Sequence, residues 1–178
     1  LPQPRATALM FLGWAAARAG EIDEGTRRLE EGLDVWNRLG ARSYLPRGLC
    51  LLAESRLLGR RHAEGLELVA RALAIAAESG EAWYVPRLYH LRAELLQARG
   101  GDADAAEASL RTGLDLARAQ GARGWELRVA ASLARHWLEH GRRDDARTLL
   151  AATSSRFPER LVTPDLEAAE ELLARLTE

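Results

Sequence analysis

The sharpest chemistry-bearing string in this sequence is His136-Trp137-Leu138-Glu139-His140. Two imidazoles four residues apart share a helix face. With Glu139 between them as a base, they could hold zinc for metal-assisted peptide hydrolysis. A structural reading competes: the string ends at Gly141, and His140 near a helix C-terminus interacts well with the helix dipole. Trp137 is also needed as a large apolar residue, and little chain follows to supply a third ligand. Other nucleophiles lack support. The single Cys50 has no activating neighbour in sequence, cannot form an internal disulfide, and fits a reducing cytoplasm. His90 reads as structural. All 25 basic residues are Arg, so Schiff-base chemistry and a Walker-type phosphate loop, which need Lys, are excluded. No cofactor is implied.

Composition says what must position these groups. The chain has 33 Ala and 32 Leu but two Ile and two Phe. Ala, Leu, Arg and Glu are strong helix formers, and the residues that favour strands are scarce. A net charge of −1 provides no field for nucleic acid or an anionic membrane. The longest apolar stretch, Ala6 to Ala17, is too short to span a bilayer. The chain does not begin with Met, which points to a fragment of a larger protein or a processed one.

Glycines reveal a repeat. Gly40, Gly80 and Gly121 form one series, and Gly20, Gly59, Gly100 and Gly141 a second, each spaced by about forty residues. Every interval carries helical periodicity and ends in Gly, as a left-handed C-cap would. Tyr44-Leu45-Pro46-Arg47 and Tyr84-Val85-Pro86-Arg87 open equivalent helices, with starts expected near Arg42 and Glu81. Small residues recur in columns: Gly13, Ala53, Ala93 and Ala134; Gly25, Gly65, Ala106 and Ala146; Gly32, Ala72, Gly113 and Thr153. Gly inside a helix costs about 1 kcal/mol relative to Ala, so these positions require close helix approach. At the C-terminal end, Thr163-Pro164-Asp165-Leu166 opens a last helix with Thr163 as N-cap and an apolar side of Leu166, Leu172, Leu173 and Leu176.

These columns resemble the tetratricopeptide repeat (TPR) family, best over Gly13 to Leu33 and Ala134 to Leu150. The departures are a repeat longer than the usual ~34 residues, no Pro ending the second helix, and Arg92 in place of Leu. The expected fold is all-α: a right-handed α-solenoid of four TPR-like helical hairpins plus a C-terminal capping helix. It would form one domain over 1–178, with repeats at about 4–40, 41–80, 81–121 and 122–157 and the capping helix at 164–177.

A narrower resemblance rests on Trp83 to Leu96, Ala119 to Arg128, Ser132 to Arg135, and Thr163 to Leu166. Together these stretches are similar to the C-terminal repeat region of large bacterial signalling proteins. Those proteins join a nucleotide-cyclase-like or DNA-binding domain to a signal-transducing ATPase of the AAA/STAND type. The resemblance implies a non-catalytic interaction and regulatory module, with cyclase and ATPase outside this chain. It also implies which first-helix positions line a concave groove. One column is Arg47, Arg87 and Arg128, a second Met10, Cys50, His90 and Ala131, and a third Trp14, Glu54, Glu94 and Arg135. Such a groove would grip a carboxylate-bearing protein or peptide segment, including one from the parent chain. The same residues could instead form an internal ion-pair ladder. A small-molecule effector is the alternative ligand, and zinc hydrolysis through His136, Glu139 and His140 is the remote one.

Overall fold

The computed structural model describes residues 2–40, 42–158 and 163–177. Among them are nine α-helices: α1 (Pro2–Arg18), α2 (Ile22–Arg38), α3 (Leu45–Leu58), α4 (His62–Ser79), α5 (Val85–Ala98), α6 (Ala103–Ala119), α7 (Arg123–Glu139), α8 (Arg143–Ser154) and α9 (Pro164–Thr177). No strand occurs among the described residues. The chain divides into two compact units, 1–106 and 107–178, with the boundary in the first turn of α6.

In the first unit α1 packs on α2 and α3 on α4, while the first helices of successive hairpins lie side by side, α1 against α3 and α3 against α5. The core holds Met10, Leu29, Leu33, Leu49, Leu52, Val69, Leu88 and Leu95, all buried. Each such side chain removed from water contributes roughly 1.5–3 kcal/mol before entropy is charged against it. In the second unit α7 packs on α8, and α9 packs on both. Leu166, Ala169, Leu172 and Leu176 form its buried side. The Leu166 N–H donates to Thr163 Oγ1 at 3.2 Å, an N-cap bond. Arg143 donates to the carbonyls of Arg175 and Leu176 at the other end of α9. Residues 159–162, between α8 and α9, lie outside the described residues.

The small-residue columns mark real backbone contact. A Cβ on Gly13 would meet the Gly25 carbonyl oxygen at 2.6 Å, and one on Gly25 would meet the Gly13 oxygen at 2.5 Å. Both obstacles are main chain and cannot swing aside.

Two local expectations are corrected. Helices α3 and α5 start at Leu45 and Val85, later than Arg42 and Glu81. Residues Arg42–Tyr44 form a 3-10 turn instead, and Pro46 and Pro86 occupy the first helical turn. Gly59 is not the left-handed residue of its turn. Its φ is −79°, and Arg60 takes the left-handed conformation with φ 59°. The other six expected turn glycines do have positive φ. Gly59 instead makes room for Ile22, whose Cγ2 a Cβ would meet at 3.1 Å.

Relieving the strain at Arg60 should stabilise the chain: Arg60→Gly is expected to gain about 0.5 kcal/mol, net of glycine's entropy cost. Gly13→Ala should lose at least about 2 kcal/mol by backbone overlap. Equilibrium urea unfolding checks both.

Candidate functional site

Helices α1, α3 and α5 bring four of the expected groove residues together in the first unit. Glu54 is the hub. One of its oxygens accepts from Arg18 Nη1 at 3.0 Å, and the other pairs with Arg87 Nη2 at 3.3 Å. Arg87 Nη1 also donates to Glu94 Oε2 at 2.7 Å and lies 3.2 Å from His90 Nδ1. Glu54 and Arg87 side chains are only 12% and 11% exposed. Burial works against the Arg87 charge, but Glu94 and Glu54 outweigh it and hold its pKa above the ordinary arginine value. Two guanidiniums face two carboxylates here, so the set balances itself. A ligand could reach Arg87 only by breaking buried pairs.

Cys50 and Met10, of the second column, are buried in the same unit. Burial pushes the Cys50 thiol up to about 12, so it is not a nucleophile at neutral pH. Trp14 is half-buried beneath Arg18, whose guanidinium carbon lies 5.3 Å from its ring.

Arg47 differs from Arg87. Its guanidinium carbon sits 4.5 Å from the Phe11 ring centroid, 5.7 Å from Trp83 and 6.0 Å from Tyr84. Its Nε is buried without a hydrogen-bond partner. Among the described residues no carboxylate lies within ion-pair distance of it. The sequence reading named Arg47 but missed its rings. Phe11 shares one face of α1 with Trp14 and Arg18 by i, i+3, i+7 spacing, a signal for that ring alone; Trp83 and Tyr84 come from the turn before α5. Burial pushes the Tyr84 hydroxyl up to about 12, so it stays protonated.

The remaining expected residues belong to the second unit. Arg128 Nε pairs with Asp165 of α9 at 2.6 Å while its guanidinium lies 5.0 Å from the Trp125 ring. Arg135 is exposed and donates to Ser132 Oγ at 3.1 Å. Ala131 is buried. His136 is 3% exposed, and its ring centroid is 4.3 Å from that of His140. His140 Nδ1 donates to the His136 carbonyl at 2.7 Å, turning that ring onto its own helix. Burial, then His140, lowers the His136 pKa. Among the described residues no group of three or more His, Cys, Asp or Glu is placed to hold a metal.

A charge centre that sequence reasoning missed is Glu107. It accepts from Arg111 Nε and Arg142 Nη1, both at 2.9 Å, and both guanidiniums also cover the Trp137 ring. Burial raises its pKa, but the Trp137 indole, then Arg111 and Arg142, overcome that and hold the carboxyl down to about 2.

No protein-family profile matches the chain. It is 34% identical over 127 residues to an uncharacterized protein of Rhizobium meliloti (strain 1021), a match covering 71% of this chain. The chain spans 12% of that protein's length. Solved structures align along nearly the whole chain. The nearly identical TPR-like repeats of a Podosopora anserina kinesin light chain give a TM-score of 0.76 at 20% identity, covering 99% of this chain and 86% of that one. The fold is that of the TPR-like repeats. BtubC from P. vanneervenii gives 0.79 at 16% identity, with 99% and 80% covered. A STAND protein with a tetratricopeptide repeat sensor from Pyrococcus horikoshii gives 0.73 at 11%, with 99% and 26% covered. The four TPR-like hairpins here follow the expected all-α repeat architecture.

Two outcomes follow from these charges. Glu54→Gln leaves Arg87 partly uncompensated and should cost about 3 kcal/mol in urea unfolding. Glu107 has its pKa lowered from 4.5 to about 2 on folding, so its contribution is complete above pH 4.5 and is lost as pH falls through 2. Wild-type stability should therefore fall across that window by roughly 3 kcal/mol more than that of Glu107→Gln.

Proposed function

We propose that the chain is a non-catalytic interaction and regulatory module of a larger bacterial signalling ATPase or transcriptional regulator. It binds a protein segment, from a partner or from its own parent chain, along the first-helix face of α1, α3 and α5. The observation that carries this reading is the composition of that face: half-buried Trp14 and Phe11 and the exposed ring of Trp83, 48% accessible, flank charged side chains. Aromatic anchors with a charged surround are what peptide recognition uses. Two comparisons support the context. The chain is a small part of its Rhizobium relative's length, and a STAND protein carries this fold as a repeat sensor. The buried, protonated Cys50 supports the non-catalytic part. Among the described residues no helix is long and apolar enough to cross a membrane.

A small-molecule effector is the second reading, favoured by the rings around Arg47.

Selection from a displayed random-peptide library should enrich sequences that bind the folded chain with about micromolar Kd. Trp14→Ala should weaken them about tenfold. A library that yields no binder to the folded chain, or binders indifferent to every change on α1 and α3, would defeat the module reading.

A further inference from the structure

Of the three arginines in the equivalent first-helix column, two have internal carboxylate partners. Arg87 is held by Glu54 and Glu94, and Arg128 by Asp165. Arg47 occupies the equivalent place in α3, yet its only polar or charge contacts among the described residues are with aromatic rings. Its Nε is shielded from water and unbonded. A guanidinium in that position keeps its charge, because arginine does not deprotonate in proteins. It has therefore lost water at one donor without gaining a protein acceptor, a cost that an anion would offset.

We propose that Arg47 is the anchor of a binding site for a carboxylate borne on a flat apolar group. The inference rests on the module reading above and names the ligand chemistry of the same face. Three features select this class. A guanidinium presents paired N–H donors that match a carboxylate in a plane. A single uncompensated charge suits a monoanion; a phosphate dianion would leave an excess negative charge in a half-buried place. The ring of Trp83 is 48% exposed and faces the same guanidinium, and so offers a stacking surface for the apolar part. Phe11, beneath the guanidinium, shields it from water and strengthens the pair.

The ligand could be a free aromatic acid or the C-terminal carboxylate of a peptide ending in an aromatic residue. N-acetyl-phenylalanine and N-acetyl-phenylalaninamide differ only in that charge, and neither contains an indole. Titrating each into the whole chain and following tryptophan emission is the decisive measurement. The acid should bind at least tenfold more tightly than the amide and should weaken with salt. Arg47→Met should abolish the preference, Arg47→Lys should retain part of it, and Trp83→Ala should weaken both ligands.

The peptide Ala-Ala-Phe with a free C-terminus, against its amidated form, separates the sources. Tighter binding than the single amino acid assigns a peptide end; exclusion of the peptide assigns a small acid. Equal affinity for acid and amide, or no saturation by the acid below about 10 mM in a sample with its helical signal intact, overturns the proposal. The acid–amide comparison needs only wild-type protein, so a misfolded variant leaves it decisive. Library-selected peptides that bind wild type and the Arg47→Met variant equally would sink this site while leaving the module reading standing.

Discussion

Two backbones touch where α1 meets α2. The carbonyl oxygens of Gly13 and Gly25 stand where each other's Cβ would be. Helix axes usually keep 8–10 Å apart because side chains intervene. Removing the side chain at the crossing lets the two helices close up, and the rest of the hairpin then follows. Ala17 and Leu29 fall into the seam, and Gly32 receives Met10. Because each hairpin is thin, its apolar sides stay uncovered until a neighbouring hairpin supplies the other wall. The column Ala53, Ala93 and Ala134, all buried, repeats this economy of space with a methyl group in place of a hydrogen.

Stacking of first helices has an electrostatic consequence. It places acidic and basic side chains of successive hairpins at bonding distance in a region with little water. Glu54 answers this by accepting from α1 and α5 at once. The choice between ligand groove and internal ladder is therefore made residue by residue. Arg87 has the ladder's geometry, whereas Arg47, one hairpin earlier, has rings where Arg87 has carboxylates.

The helices, the turns between them and the small columns were legible from the sequence, because each is a local or periodic property. Gly20, Gly80 and Gly141 announce left-handed turns directly. Gly59 misleads because two demands on glycine, torsional freedom and lack of bulk, look identical in one letter; here bulk decided, and the torsion moved to Arg60. The partners of charged groups were less legible. Arg128 meets Asp165 and Glu107 meets Arg142 across more than thirty residues, and periodicity does not report side-chain direction over that span. The rings around Arg47 come from α1 and from the turn before α5, so no single stretch displays them together.

Helix α9 is gripped at both ends. Arg128 takes the carboxylate in its first turn, and Arg143 takes the carbonyls of its last. Each contact sets a cation against the negative member available at that end. The face of α9 turned to solvent carries Glu167, Glu170 and Glu171. An array of stacked hairpins tends to polymerise, since any bare helix face welcomes another copy. Two copies meeting through that side of α9 would press six carboxylates together, so the helix resists pairing with its own kind.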